Sequence, residues 1–268
     1  MINKSWVQEK IKALKLAPSR GNGQNFLISP DPIIAIIKAG EITAGDRVLE
    51  IGPGLGALTE ALLATGADVT AIEFDKKLAE YLEKNLSKKL PHKIIHGDVL
   101  EIATENFLAD LHPYKLIANI PYHLTSDIIR RFTETKFKPQ TICLLVQKEV
   151  AERITAEPPR TNQLALFTQW FARVEYITTI PRTLFSPAPE VDSAIIRIVP
   201  RTPDEQARGL SPNEQKQLFS FIKRGYAHPR KQLANNLGVK ITDAPLNLTR
   251  RAETLSHEEW ITLFKALS

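Results

Sequence analysis

From residue 30 to about residue 200, short apolar runs alternate with stretches whose apolar residues recur at helical spacing. The runs are "DRVLEIG", "ADVTAIEFD", "HKIIHGDV", "YKLIANI", "TICLLVQ", "VEYITTI" and "DSAIIRIV", and they predict about seven strands. Between the second and third, "KKLAEYLEKNL" puts Leu78, Leu82 and Leu86 four residues apart, which predicts a helix with one buried face. Strands separated by helices predict an α/β fold built on a doubly wound, mostly parallel, Rossmann-like sheet covered on both faces. Ahead of this region, Val7, Ile11 and Leu14 share one helical face.

Near residue 200 the pattern changes. "VPRTPDEQARGLSP" is polar and Pro-rich and reads as a linker. Beyond it only helical patterns occur. Ser211 and Glu214 form a capping box with Pro212 at the first helical position, and Ser256 and Glu259 repeat the box ahead of an apolar face of Trp260, Leu263, Phe264 and Leu267. The expected domains are therefore 1–204, with an N-terminal helix and an adjoining segment over 1–29, and a small all-helical domain over 205–268.

Composition narrows the classes. The chain has 268 residues, 43% apolar and 24% charged, the balance of an ordinary globular protein. No run of apolar residues is long enough to span a membrane. The N-terminus lacks a continuous apolar segment of the secretory kind. Cys143 is the single cysteine, so no internal disulfide can form, and the histidines show no metal-ligand spacing. A reducing, cytoplasmic setting without a metal is expected. A net charge of +5 suits a polyanionic partner. The basic groups cluster at Lys10–Arg20, at "RRFTETKFK", at Arg250–Arg251 and at "KRGYAHPRK". In the last of these, Lys223, Arg224, Arg230 and Lys231 flank Tyr226 and His228, an arrangement suited to phosphates beside a stacking surface.

The candidate chemistry lies at the strand ends. "LEIGPGLGALTEALL" places Gly52, Gly54 and Gly56 after the first strand and at a helix start, where free N–H groups can meet a ligand closely. Glu73 ends the second strand, where a carboxylate can accept both hydroxyls of a ribose. The loop and Glu73 alone do not decide between a nicotinamide dinucleotide and S-adenosylmethionine. Asp98 closes the third strand and can accept from an adenine amino group. Asn119 closes the fourth, in "NIPY". Pro121 ends the ladder there and holds Ile120 extended, so the turn offers the Asn119 amide, the Ile120 carbonyl and the Tyr122 ring together. Two acceptors on the hydrogens of an adenine amine draw it toward tetrahedral geometry and localise its lone pair, while a ring holds the base. Such chemistry works by positioning and electrostatics.

These motifs resemble the ribosomal RNA adenine N6-dimethyltransferases, most closely the KsgA type that modifies small-subunit RNA. The resemblance runs from "GQNFLISP" to the last helix, through "VLEIGPGLGALT", "AIEFDKKL", "HGDVL", "NIPYHLTSDII", "VQKEVAERI", "FSPAPEVDSAIIRI" and "RAETLSHEEW". It implies a seven-stranded methyltransferase sheet followed by an RNA-binding helical domain. Asn25 and Leu27, with Gln24 beside them, would close over S-adenosylmethionine. Gly52 and Gly54 would line the cofactor, Glu73 would take its ribose and Asp98 its adenine. Asn119 would stand between cofactor and target amine as a catalytic residue and a cofactor contact. Tyr122 would stack on the target base, with Ile120 and Pro121 beside it and Phe185 as the opposing wall. The partner implied is small-subunit ribosomal RNA in a pre-ribosomal particle, met by a monomer. The chain departs from the family in "SRGNGQNFL", which lacks the usual basic and aromatic pair, and at His123. The rival readings are the antibiotic-resistance relative acting on large-subunit RNA and a ribosome-assembly factor with secondary catalysis.

Overall fold

The computed structural model describes residues 2–16, 25–86, 91–121, 124–240 and 245–267. Among these residues nine strands follow one another: β1 (Phe26–Leu27), β2 (Arg47–Ile51), β3 (Asp68–Glu73), β4 (His92–His96), β5 (Lys115–Asn119), β6 (Ile142–Gln147), β7 (Ala172–Ile180), β8 (Phe185–Ser186) and β9 (Ser193–Pro200). Seven of them form one sheet in the order β4-β3-β2-β5-β6-β9-β7, and β1 pairs with β8 apart from it. The seven are the seven apolar runs expected. Pairing is parallel from β4 through β6, and β9 lies antiparallel to β6, with Ile142 opposite Ile198 and Gln147 opposite Ser193.

The sheet centre is apolar because both of its faces are covered. Val48, Leu49, Ile117, Cys143 and Ile195 are fully buried, and helices Asp31–Ala39 and Ala57–Ala64 add Ile36 and Leu62 to the same core. Continuous apolar strands of this kind are what a doubly covered parallel sheet requires. The helix Lys76–Asn85 starts at Asp75, whose carboxylate accepts from the N–H groups of Lys77 and Leu78 and satisfies two orphan donors. Its Leu78 and Leu82 face the core, as the four-residue spacing predicts.

The chain divides into two compact units, one of residues 1–151 and 175–200, the other of 152–174 and 201–268. The second unit thus takes in 152–174, which the sequence assigns to the first. The reason is packing: on helix Gln163–Phe171, Leu166 and Trp170 are buried in one cluster with Leu218, Leu233, Trp260 and Leu263. The expected linker also differs, because it contains a short helix, Pro203–Ala207. Thr202 and Glu205 make a capping box there, and Gln206 donates to the carbonyls of Phe171 and Arg201. The boxes at Ser211 and Ser256 form as expected. Among the described residues no helix is long and apolar enough to cross a membrane.

Candidate active site

In the parallel sheet the chain runs from β2 outward to β3 and β4, then returns to the other side of β2 as β5 and β6. This reversal opens a crevice beyond the carboxyl ends of β2 and β5, the usual ligand position in such sheets. Ile51 pairs with Ala118, so the glycine loop after β2 lies against the end of β5. A Cβ on Gly52 would come 3.5 Å from the Asn119 carbonyl oxygen. Asn25, Leu27, Gly52, Gly54, Glu73, Asn119 and Pro121 all line this cleft, which has about 690 Å³ of empty space.

The loop has a backbone that ordinary residues rarely adopt. Gly56 caps helix Ala57–Ala64 with φ of 86°, and a Cβ there would meet Leu82 Cδ2 at 2.6 Å. Gly54 has φ of 58°, and its Cβ would sit 3.3 Å from the Phe26 ring. Glycine therefore lets the loop turn and pack, but its N–H groups are not the free donors expected: that of Gly52 donates to the Ile72 carbonyl at 3.0 Å and that of Gly56 to the Pro53 carbonyl at 2.9 Å. Glu73 ties the loop to β3: one carboxylate oxygen accepts from Gly54 N–H at 2.9 Å and the other from Asp75 N–H at 2.8 Å. Burial raises the Glu73 pKa, and these two N–H groups oppose the rise. Each oxygen has a second acceptor position for a ligand hydroxyl.

A residue the sequence reading passed over completes the floor. Glu50, in β2, lines the cleft at 1% exposure, and neither carboxyl oxygen has a hydrogen-bond partner among the described residues. Burial pushes its pKa up to about 8, with the nearby Thr59 hydroxyl opposing and the Glu73 charge reinforcing the shift. The one sequence signal was a charge inside the otherwise apolar "VLEI". Phe74 was also passed over. It follows Glu73 and is 74% exposed, unusual for an aromatic ring without a partner to cover it.

Other expected residues fall elsewhere. Asp98 is half-buried at the end of β4 and outside the cleft lining, where it caps helix Val99–Ile102 by accepting from Leu100 N–H at 2.8 Å. Its strand end adjoins that of Glu73, since Gly97 N–H donates to the Glu73 carbonyl. The Ile120 side chain is buried, and its backbone carbonyl is the candidate acceptor. The structure does not bring Phe185 to the cleft: the ring is 3% exposed and packed in the core cluster that holds Leu27, its β1–β8 pairing partner. Tyr122, Gln24 and His123 lie outside the described residues.

In the helical unit Lys223, Arg224, Arg230 and Lys231 are all exposed. The Lys223 ammonium lies 5.8 Å from the Phe167 ring centre and the Arg224 guanidinium 5.5 Å from that of Phe221, cation–π contacts made by the charged heads themselves. Tyr226 corrects an expectation. Its ring stacks on Trp260 and its hydroxyl donates to the Ala252 carbonyl at 3.1 Å, so it is an internal packing residue and not a platform for bases. Among the described residues no group of three or more His, Cys, Asp or Glu could hold a metal ion.

The comparisons with known proteins agree with one another. The family model for ribosomal RNA adenine dimethylase matches residues 19–268. Ribosomal RNA small subunit methyltransferase A from Dehalococcoides mccartyi (strain CBDB1) is 37% identical, over 94% of this chain and 89% of its own. Its counterpart from Synechocystis sp. is 38% identical, over 93% and 96%. Among solved structures, the 23S rRNA methyltransferase ErmE superposes with a TM-score of 0.74 at 26% identity, covering 91% of this chain and 99% of its own. A dimethyladenosine transferase from Plasmodium falciparum shares the fold, with a TM-score of 0.70 at 22% identity over 89% and 95%. The chain belongs to the ribosomal RNA adenine dimethylase family.

Proposed function

We propose that this protein is an enzyme that dimethylates N6 of two adjacent adenosines in small-subunit ribosomal RNA during ribosome biogenesis, with S-adenosylmethionine as methyl donor. The observation that carries the reading is the convergence of Glu50, Glu73, the glycine loop and the Asn119–Pro121 turn on one cleft.

The donor set suits this cofactor. Glu50 is a buried carboxyl group without a hydrogen-bond partner among the described residues, and the ammonium of an amino acid would satisfy it. S-adenosylmethionine carries such an ammonium and a ribose diol for Glu73. The pyrophosphate of a nicotinamide dinucleotide would instead bring acceptors that no ammonium accompanies to Glu50, and negative charge beside Glu73. Phe74 supplies an exposed apolar surface beside the Glu73 strand end for a purine, and Asp98 stands at the next strand end. Asn25 and Leu27 line the same cleft and support the closing role that the family implies for them.

The bound cofactor supplies a methyl group on a positively charged sulfur. The chain's own residues make the amine reactive. The Asn119 side-chain oxygen and the Ile120 carbonyl accept the two amine hydrogens, and Pro121 keeps that turn extended. Under this reading Tyr122 holds the target base by stacking. An adenine amine inside a duplex cannot reach such a site, so the base is flipped or already unpaired. In the helical unit Lys223, Arg224, Arg230 and Lys231 meet RNA phosphates.

The curated relatives named for the small subunit are closer in sequence than the 23S enzyme, which favours the small-subunit substrate. The test is transfer of tritiated methyl groups to unmethylated small subunits, large subunits and DNA in parallel. Incorporation into small subunits alone is expected. Preferential labelling of large subunits would favour the rival substrate, and no transfer to any of them would leave an assembly role.

A further inference from the structure

The N-terminal helix Lys4–Ala13 precedes the segment matched by the family model, yet it is joined to the cleft. Asn3 caps it by accepting from Trp6 N–H at 2.9 Å. Val7, fully buried, packs in one cluster with Phe26, Leu55 and Leu78. Those three neighbours themselves line the cleft, beside Gly54 and Glu73. Trp6, the residue before Val7 on the same helix, is half-buried and lines it too. Lys10 Nζ sits 5.7 Å from the Trp6 ring centre and 5.0 Å from that of Tyr81, which braces the helix against Lys76–Asn85.

We infer that Trp6 is a ligand-contacting wall of the cofactor cleft, so that the N-terminal helix contributes directly to binding the adenosyl cofactor. The inference rests on the cofactor reading above. An indole held at the edge of a cleft by a buried anchor one residue away loses little entropy when a ligand arrives. It brings a large apolar ring to the cleft that Glu73 and the glycine loop also line. Val7 is the buried anchor, and Trp6 packs against the same cluster and beside Lys10 while part of its surface stays at the cleft.

The other two tryptophans make this directly observable. Trp170 and Trp260 are fully buried in the core of the second unit, and Trp6 alone is half-buried. Adding S-adenosylhomocysteine to the full chain should change tryptophan emission, and Trp6→Phe should remove that change while keeping affinity within about threefold. Trp6→Ala should weaken binding in calorimetry about tenfold. Circular dichroism and the melting temperature of each variant report whether the helix still docks. If the wild-type protein binds the ligand in calorimetry while its emission stays unchanged, or if Trp6→Ala binds as tightly as wild type, the wall assignment is wrong and the cofactor reading stands. Failure of the wild-type protein to bind S-adenosylhomocysteine overturns both.

Discussion

Glu50 has the least ordinary environment of any residue in the site. Its carboxyl group is buried without a hydrogen-bond partner among the described residues, and its pKa is raised to about 8 from 4.5. The folded protein therefore holds a proton between those pH values that the unfolded chain has released. Stability from this group is complete below about pH 4.5 and is lost as pH rises through about 8, by up to about 1.4 kcal/mol per pH unit. Glu50→Gln keeps the shape without the titration. Denaturant unfolding from pH 5 to 8 should show the wild-type protein losing stability relative to this variant. Parallel curves would mean that Glu50 is charged throughout. The acceptor role of Asn119 grows as the amine becomes tetrahedral, so Asn119→Ala should lower turnover by a factor on the order of a hundred with little change in cofactor affinity. Equal losses in both, measured by single-turnover kinetics and calorimetry, would make Asn119 a cofactor ligand only.

At the scale of elements, the glycine loop and its helix act as one part. Gly56 has the left-handed backbone and the tightest fit, against Leu82 of the neighbouring helix. Gly56→Ala should cost on the order of 2 kcal/mol and weaken cofactor binding along with it, read by chemical denaturation and calorimetry. Unchanged stability would mean that the loop relaxes freely. The seven long strands were legible because each is an apolar run between turn signals, and the boxes at Ser211 and Ser256 have local chemistry of their own. The two-residue strands β1 and β8 were not legible, since so short a pair has no period and exists only through its tertiary partner. Glu50 and Phe74 escaped for a related reason. The charge inside "VLEI" marks Glu50 as unusual but does not say that it is sealed under a ligand cleft, and nothing local tells a packed ring from one left open.

For the whole molecule, the sequence located the change of character near residue 200, but not the return of 152–174 into the helical unit. "LALFTQWF" has the same apolar period whichever core it joins, and only the fold shows that Trp170 packs with Trp260. The helical unit carries the electrostatic prediction. Neutralising Lys223, Arg224, Arg230 and Lys231 together should flatten the salt dependence of binding to small subunits by about 0.7–0.9 in logarithmic slope per contact removed. A wild-type slope in that variant would make the cluster a solvated surface.

The most direct test of the central claim joins the chemistry to its substrate. Small subunits lacking the modification are incubated with the protein and S-adenosylmethionine, the RNA is digested to nucleosides, and the methylated species are counted by mass spectrometry. The account predicts N6,N6-dimethyladenosine approaching about two per small subunit, and almost none with Asn119→Ala, by the loss of transition-state contacts argued above. Methyl groups on another atom, or the same yield from the variant, would contradict it.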